Sequence, residues 1–240
     1  MSDQFSRTEL LIGKNGIEKL KKSKVAIYGI GGVGSYTAEG LARVGVGNLV
    51  LIDVDKVDIT NINRQILALH STVGKRKIDV MKERILDINP NAIVEVYEPN
   101  DIQGEEESLL DNSFSYVVDA IDTMTSKLKL IEKAHNLNIN IISAAGAGNR
   151  LDPTKFEVSD IYKTSVCPVC RILRKELKNR NIKTHKVVYS KEEPLKQKLE
   201  MNCENGACKI PQLGSISFVP SVAGLIIAGE VVKDLIDVDF

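Results

Sequence analysis

Residues 25–34 read VAIYGIGGVG, and this stretch decides the fold. The apolar run Val25–Tyr28 predicts a buried strand, and the run Glu39–Val44 beyond the glycines predicts a helix. Glycines at such a junction let backbone N–H groups and a helix N-terminus approach phosphates. The glycines expected to bind a nucleotide are Gly29, Gly31, Gly32 and Gly34. With an acidic residue about 20 positions on, the pattern also fits NAD or FAD, so a redox or binding module using NAD stays open.

A polar run after the second predicted strand favours ATP over a dinucleotide. Asp53 ends that strand, and Asp55 follows two residues later. The sequence Asn63-Arg64-Gln65 comes next, with Lys77 further along the chain. Adenylation develops extra negative charge on the α-phosphate and on the leaving pyrophosphate, which fixed cations and amide donors stabilise. We therefore expect Arg64 and Lys77 to act in catalysis. The side chains expected to bind the nucleotide beside the glycines are Asp53, Asp55, Asn63 and Gln65.

Two carboxylates follow a third apolar segment. The run Tyr116–Asp119 predicts a strand, and Asp122 comes three residues after its end. Magnesium is a hard cation that binds carboxylate and phosphate oxygens. We therefore expect Asp119 and Asp122 at the nucleotide site, with one of them holding Mg²⁺.

The wider pattern predicts an α/β fold, a Rossmann-like, doubly wound and mainly parallel sheet with a C-terminal extension and a crossing loop. The predicted strands are Lys24–Gly29, Leu49–Asp53, Ile93–Tyr97, Tyr116–Asp119, Ile139–Ala144, Phe156–Ser159 and Lys186–Ser190. The predicted helices are Thr8–Lys22, Val33–Val44, Val73–Asn89, Thr123–Asn136, Cys167–Arg180 and Pro220–Ile236. Short apolar strands separated by helices are typical of a parallel sheet covered on both faces. The Lys-, Glu- and Asn-rich segment 183–209 predicts a mobile crossing loop, either a substrate cover or a plain surface loop.

Composition favours one domain spanning residues 1–240. The chain has 240 residues, 43% of them hydrophobic and 27% charged, with 32 basic residues against 32 acidic ones. The overall charge therefore gives no sign of nucleic-acid binding. Residues 171–186 are locally basic and contain one acid, Glu176. This segment is either an RNA-binding surface, with tRNA as the partner, or a solvated helix face; its cations are Arg171, Arg174, Lys175, Lys178, Arg180, Lys183 and Lys186.

The ends of the sequence predict a cytoplasmic protein without a membrane segment. Residues 1–9 are polar and lack the apolar core of a signal peptide. Residues 210–229 contain no charged residue, but prolines, glycines and serines interrupt them. We expect a loop and strand there, followed by a buried helix with Pro220 in its first turn.

The four cysteines stand as two pairs, Cys167 with Cys170 and Cys203 with Cys208. In a reducing cytosol, such pairs suggest structural Zn²⁺ held by four thiolates. Free structural thiols and a reactive cysteine are the alternatives. The histidines have ordinary structural explanations, and none is expected to be catalytic; they are His70, His135 and His185.

These motifs resemble the ubiquitin-activating-enzyme-like adenylyltransferases that include MoeB and ThiF, over roughly residues 5–160. The resemblance implies that Asp122 is the Mg²⁺ ligand and that Asp53 binds the ribose. It also implies that Arg64 and Lys77 contact the phosphates. An arginine near the N-terminus reaches the partner subunit's ATP in that family, which implies a homodimer in which Arg7 acts across the interface.

A closer resemblance, running nearly end to end, is to the TcdA group of tRNA threonylcarbamoyladenosine dehydratases. The segments that carry it are 5–7, 31–35, 58–66, 152–154, 160–164 and 218–224. It implies that ATP activates the threonyl carboxylate of a modified adenosine in tRNA and that ring closure then expels AMP. The alternative is adenylation of the C-terminal glycine of a ubiquitin-like sulfur carrier, as in MoeB or ThiF, which would make a sulfur-transfer protein the partner.

Overall fold

Seven strands form one sheet at the centre of the protein. The structure is a computed structural model, and it describes residues 3–98, 106–196, 203–204, 207–208 and 213–237. The strands of the main sheet are β1 Lys24–Tyr28, β2 Asn48–Ile52, β3 Ile93–Tyr97, β4 Tyr116–Asp119, β5 Asn140–Ala144, β6 Phe156–Asp160 and β7 Lys186–Ser190. Two further short strands, β8 Cys203–Glu204 and β9 Ala207–Cys208, pair antiparallel with each other.

The strand order is β3-β2-β1-β4-β5-β7-β6, and only β6 runs antiparallel to its neighbour. The predicted doubly wound, mainly parallel α/β sheet is therefore confirmed. The strand order reverses between β1 and β4, because β2 and β3 lie on one side of this pair and β5, β7 and β6 lie on the other. In open parallel sheets the crevice at such a reversal is where ligands bind.

In the part of the chain that the structure describes, six α-helices pack around the sheet. Their bounds are α1 Ser6–Lys22, α2 Gly34–Val44, α3 Lys77–Ile88, α4 Met124–Asn136, α5 Pro168–Asn179 and α6 Phe218–Ile236. Alternate residues of β1 point to opposite faces. Val25 and Ile27 join the core beneath α2, α3 and α6, whereas Ala26 and Tyr28 join the core beneath α4 and α5. Both faces of the strand are thus buried, as its continuous apolar sequence predicts.

Small residues let α6 pack closely on α2. A Cβ built on Gly224 would lie 2.4 Å from the Val33 carbonyl oxygen, and one on Gly40 would lie 2.8 Å from the Ala228 Cβ. The Thr37 hydroxyl also donates a hydrogen bond to the Gly224 carbonyl at 3.0 Å. Because α2 starts at the glycine-rich turn, this close contact fixes the position of that turn.

Most predicted helix and strand bounds agree with the structure to within two residues, and α3 is the main exception. The prediction started this helix at Val73, but the helix begins at Lys77. Gly74 has φ +86°, and Lys56 and Arg76 form an isolated antiparallel bridge. That bridge holds the residues before Lys77 in an extended conformation, which a helical pattern in the sequence does not reveal.

The predicted mobile segment was wrong at its start. Residues 186–190 form β7, whose last four residues are buried. From residue 197 to 202, and at residues 205, 206 and 209, this prediction lies outside the described residues. Among the helices that the structure describes, none is both long enough and apolar enough to cross a membrane.

Candidate functional site

The glycine-rich turn follows β1 directly and requires glycine at two positions. Gly29 has φ +87°, and a Cβ there would lie 2.6 Å from the Ala120 carbonyl oxygen. A Cβ on Gly34 would lie only 1.8 Å from the Gly29 carbonyl oxygen. Gly31 and Gly32 are partly exposed at the start of α2. The turn therefore presents backbone to solvent at a helix N-terminus, which is a favourable place for an anion.

Asp53 ties the glycine-rich turn to the end of β2. One carboxylate oxygen accepts a 2.6 Å hydrogen bond from the Ile30 N–H, and the other accepts a 2.8 Å bond from the Asp55 N–H. Burial raises the pKa of Asp53 above its ordinary value, although these two hydrogen bonds and the nearby Lys77 ammonium act in the opposite direction. The carboxylate is thus fixed in direction beside the turn.

Lys77 enters the same region from the first residue of α3. Its ammonium donates to the Asp55 carboxylate at 2.6 Å, and its side chain is only 6% exposed. The Lys77 N–H also donates to the Asp55 carbonyl at 3.0 Å. Asp55 thereby holds a largely buried cation at the end of β2.

Arg64 lies in the turn after a 3₁₀ helix at Ile59–Asn61, close to the glycine-rich turn. Its Nη1 donates to the Thr60 carbonyl and to the Asn63 Oδ1, both at 2.9 Å. A Cβ on Gly32 would lie 3.5 Å from the Arg64 Cγ. Among the described residues no carboxylate forms a salt bridge with Arg64, so its positive charge stays available to a ligand.

Two buried polar atoms near the glycines have no hydrogen-bond partner among the described residues, namely Gln65 Oε1 and Ser35 Oγ. Gln65 is 5% exposed, and its amide nitrogen would lie 3.9 Å from a Cβ on Gly31. Ser35 is fully buried in the first turn of α2. Unsatisfied buried polar groups are costly, and a bound molecule can supply their missing partners.

The two carboxylates beyond β4 have different surroundings. Asp122 is exposed in the turn before α4, whereas Asp119 is fully buried. Asp119 accepts hydrogen bonds from the Lys127 ammonium at 2.7 Å, the Ser143 hydroxyl at 2.6 Å and the Ile121 N–H at 3.1 Å. Of the pair, Asp122 is therefore the one that presents its carboxylate to solvent.

Parallel pairing brings these groups to one edge of the sheet. Tyr28, the last residue of β1, is in register with Ile52 of β2 and with Asp119 of β4. The residues that follow these three strand ends, together with Arg64 and Lys77, surround the start of α2. The residues gathered there are Gly29, Gly31, Gly32, Gly34, Asp53, Asp55, Asn63, Arg64, Gln65, Lys77, Asp119 and Asp122.

Arg7 lies away from this edge within its own chain. It is exposed near the start of α1, and the neighbouring Phe5 ring packs against Gly45, at the C-terminal end of α2. The glycine-rich turn is at the opposite end of α2, which has 11 residues and is therefore about 16 Å long. Any contact of Arg7 with a nucleotide at the glycine-rich turn would thus come from a second copy of the chain.

Cys167 and Cys170 lie buried at the start of α5. A hydrogen bond from the Cys170 thiol lowers the pKa of Cys167 to about 5, against the opposing effect of burial. The same bond and burial raise the pKa of Cys170. Cys203 and Cys208 stand opposite each other in the β8–β9 ladder, and their side chains lie outside the described residues. Among the described residues, no three His, Cys, Asp or Glu side chains form a metal cluster.

The basic segment 171–186 is only partly the surface that its sequence predicts. Arg180 pairs with Glu176 at 2.8 Å and with Glu132 at 3.6 Å. Lys186 belongs to β7 and pairs with Asp234 at 2.7 Å. Acids distant in sequence therefore neutralise part of the segment. The cations that remain exposed are Arg171, Lys175, Lys178 and Lys183.

Sequence reasoning missed a buried polar group behind the site, formed by Lys127, Ser143 and His185. Burial lowers the pKa of His185 to about 3, and its Nε2 lies 2.8 Å from the Ser143 hydroxyl. Lys127 had a detectable signal: it shares the apolar stripe of α4 with Met124, Leu128 and Ile131, at helical spacing. A lysine on an apolar stripe indicates a buried partner for its charge.

Known proteins resemble this chain in sequence and in fold. A model of the ThiF family matches residues 5–239. The chain is 46% identical over 244 residues to a tRNA threonylcarbamoyladenosine dehydratase of Bacillus subtilis, covering 98% of this chain and 96% of that protein. It is 32% identical to the crystal structure of the Escherichia coli tRNA N6-threonylcarbamoyladenosine dehydratase in complex with AMP, with a TM-score of 0.85 over 98% of this chain and 94% of that one. For the same enzyme in complex with ATP, the identity and both coverages are unchanged and the TM-score is 0.82.

Proposed function

This chain belongs to the ThiF family, and from that membership we propose that it is an ATP-dependent tRNA threonylcarbamoyladenosine dehydratase of the cytoplasm. The observation that carries the proposal is the meeting of the glycine-rich turn, Arg64, Lys77 and Asp122 at the strand reversal. The Bacillus subtilis relative of that name is matched over 96% of its length, and the Escherichia coli crystal structure over 94%. We treat residues 1–240 as a single adenylyltransferase domain.

The proposed reaction has two steps. An oxygen of the threonyl carboxylate attacks the α-phosphorus of ATP, the bond to the bridging oxygen breaks, and pyrophosphate leaves. An atom of the carbamoyl group then attacks the activated carbonyl carbon, the bond from that carbon to the AMP oxygen breaks, and AMP leaves. The tRNA nucleoside loses one water overall. The chain contributes binding, orientation and charge stabilisation to both steps.

The nucleotide fits the edge of the sheet by its chemistry. Phosphates suit the backbone N–H groups at the start of α2, where residues 31–33 are partly exposed. The fixed carboxylate of Asp53 suits the ribose hydroxyls, and the unpartnered Gln65 Oε1 and Ser35 Oγ suit donors of a bound ligand. Arg64 lies near Gly32 and Lys77 lies near Asp53 and Asp55, and we assign both to phosphate oxygens that gain charge in the transition state.

We propose Asp122 as the ligand of Mg²⁺. Its exposed carboxylate is a hard oxygen donor beside the glycine-rich turn, whereas the oxygens of Asp119 are already hydrogen-bonded within the protein. A bound magnesium ion would neutralise phosphate charge and orient the leaving group. Replacing Asp122 with asparagine should therefore weaken the Mg²⁺-dependent part of ATP binding.

We also propose a homodimer in which Arg7 serves the nucleotide of the partner subunit. Leu10 and Leu11, next to Arg7 on α1, are 86% and 81% exposed. Two neighbouring leucines with that much exposure favour a protein contact over a solvated surface. Burying them between two copies would bring each Arg7 close to the other subunit.

Four thiolates of the two cysteine pairs are proposed to hold structural Zn²⁺. The Cys167 and Cys170 thiols are already in contact, and Cys203 and Cys208 are paired in register across β8 and β9. Zinc prefers such thiolate sets. Metal analysis of the purified protein should find stoichiometric zinc, lost in Cys167→Ser together with thermal stability. Metal-free protein of undiminished stability would leave these cysteines as ordinary thiols.

For tRNA, we propose the exposed cations of α5 as a contact surface for phosphates. Replacing Arg171, Lys175 and Lys178 together by alanine should weaken tRNA binding and reduce the slope of log K against log salt by about 2 to 3. Arg180→Ala is the matched control on the same segment, because salt bridges already occupy its guanidinium. An unchanged slope in the triple variant would move the RNA surface elsewhere on the protein.

The function itself is tested by product analysis. Purified protein is incubated with ATP and tRNA bearing N6-threonylcarbamoyladenosine. The tRNA is then digested, and the masses of its nucleosides are measured by mass spectrometry. Loss of one water from the modified nucleoside, with release of AMP, is the expected result. Turnover only with a protein ending in Gly-Gly would identify a sulfur-carrier adenylyltransferase.

A further inference from the structure

Asp119 and Lys127 form a fully enclosed ion pair behind the nucleotide edge. The ammonium and carboxylate are 2.7 Å apart, and their side chains are 2% and 0% exposed. Lys127 also donates to the Ala144 carbonyl at 3.2 Å, at the end of β5. The pair therefore links α4 to the ends of two adjacent strands, β4 and β5.

Such a pair is an expensive way to stabilise a fold. Removing two charges from water carries a large free-energy penalty, and an apolar pair of similar volume is often at least as stable. The best-attested role of a buried ion pair is to select one geometry of the groups around it. The geometry that this pair fixes is that of the turn carrying Asp122.

Both oxygens of Asp119 are used for this purpose. Oδ2 accepts from Lys127 and Ser143, so the carboxylate cannot rotate. Oδ1 accepts the Ile121 N–H at 3.1 Å, which fixes the backbone one residue before Asp122. The turn carrying Asp122 also contacts the glycine-rich turn, because a Cβ on Gly29 would lie only 2.6 Å from the Ala120 carbonyl oxygen.

His185 completes the support from the far side. The Ser143 hydroxyl has one proton, and it goes to the ionised Asp119 at 2.6 Å. The Ser143 Oγ must then accept a hydrogen bond from the His185 Nε2–H at 2.8 Å, which sets the tautomer of a neutral imidazole. The His185 backbone N–H donates to Asp160 at 3.0 Å, which ties the residue to the end of β6.

We propose that Lys127 and Ser143, backed by His185, are positioning residues for the magnesium–nucleotide site: they act through Asp119 to hold the turn that presents Asp122. This inference rests on the proposed function, specifically on Asp122 as the Mg²⁺ ligand. Lys127 and Ser143 need not touch the nucleotide themselves. Outer groups that orient a metal-binding side chain commonly affect metal affinity about 10- to 100-fold.

The experiment measures ATP binding by titration calorimetry, with and without Mg²⁺, so that no acceptor or turnover is needed. The variants are Lys127→Met, Lys127→Arg and Ser143→Ala, and Lys133→Met on the same helix is the matched control. In Lys127→Met we expect the Mg²⁺-dependent gain in ATP affinity to fall at least about tenfold. Metal-free ATP binding should change little, and Lys127→Arg should restore part of the gain.

Ser143→Ala keeps the inference testable if Lys127→Met does not fold, because it removes one hydroxyl only. It should reduce the Mg²⁺-dependent gain in the same direction and by a smaller factor. If Lys127→Met and Ser143→Ala lose thermal stability but keep the full gain, the network is structural and the inference is overturned. Asp122→Asn separates the two claims: if that variant keeps the gain, the proposed magnesium ligand has failed instead.

Discussion

Gly34 and Gly29 touch so closely that no side chain fits between them: a Cβ on Gly34 would lie 1.8 Å from the Gly29 carbonyl oxygen. The contact joins the end of β1 to the start of α2. It brings the first N–H groups of the helix over the strand reversal, where a phosphate can accept from them. The proposed nucleotide site thus depends on main-chain geometry as well as on its charged side chains.

Gly34→Ala should consequently damage the fold as well as the site. The methyl group collides with backbone, which cannot move aside as a flexible side chain can, so we expect a loss of about 3 kcal/mol or more in the free energy of unfolding. Chemical denaturation measures this. Gly229→Ala is the control: a Cβ there meets nothing within 4 Å. Removing a mid-helix glycine should stabilise that variant by about 0.5 to 1 kcal/mol.

Glu39 should give the stability of the protein a specific dependence on pH. Burial alone would raise the pKa of this carboxyl, but hydrogen bonds from Arg84 and Arg43 outweigh it and lower the pKa below its ordinary 4.5. A lowered pKa means that the ionised form stabilises the native state above pH 4.5, and that this contribution disappears as the pH falls through the lower native pKa. The bond to Arg84, at 2.6 Å, also fixes α3 against α2.

Glu39→Gln should therefore lower the free energy of unfolding by about 1 to 2 kcal/mol at neutral pH, since both guanidinium groups are partly in water. The difference from wild type should shrink at acidic pH, as measured by urea denaturation across the range. Glu83→Gln, an exposed acid on α3, is the control. A difference that stays constant down to the acid limit would show that charge at Glu39 is not the cause.

Arg64→Lys tests whether geometry or charge matters beyond the glycine-rich turn. The guanidinium is held by the Thr60 carbonyl and the Asn63 side chain, each at 2.9 Å. An ammonium cannot keep both of these bonds and also offer a planar pair of donors to phosphate. ATP–pyrophosphate exchange should fall about a hundredfold in kcat, with a smaller change in the KM for ATP. Lys133→Ala should match wild type, and equal activity of Arg64→Lys would remove the proposed transition-state contact.

A mixing experiment tests whether Arg7 acts across a dimer. Arg7→Ala and Asp122→Asn should each be inactive as pure proteins. After unfolding and refolding together in equal amounts, half of the dimers are mixed and each has one intact site, so activity should return to about a quarter of wild type. No return of activity would mean that Arg7 serves its own chain, and full activity of pure Arg7→Ala would mean that Arg7 has no part in the reaction.

The sequence was sufficient to predict the parallel sheet and the edge on which the site lies. Runs such as Val25–Tyr28 and Tyr116–Asp119 are short, apolar and separated by helices, which leaves few alternative arrangements. It was not sufficient for the start of α3, because the bridge between Lys56 and Arg76 depends on a tertiary contact. Local patterns carry helix and strand preference, but they do not carry such pairings.

The same limit applies to the two carboxylates after β4. The sequence gives Asp119 and Asp122 equal chemical standing, and both were expected to meet the nucleotide. Their difference comes from Ser143 and His185, which lie on other strands and reach Asp119 only in the folded protein. Burial of Lys127 could have been predicted from its position on the apolar stripe of α4, but its partner could not.

The central claim is that ATP activates a carboxylate on tRNA by adenylation, and transfer of a heavy oxygen isotope tests it most directly. The threonyl carboxylate of the modified adenosine is labelled, the tRNA is converted with unlabelled ATP, and the released AMP is analysed by mass spectrometry. The account predicts label in AMP, because the attacking carboxylate oxygen leaves with the α-phosphate. Unlabelled AMP, or label in inorganic phosphate, would contradict it.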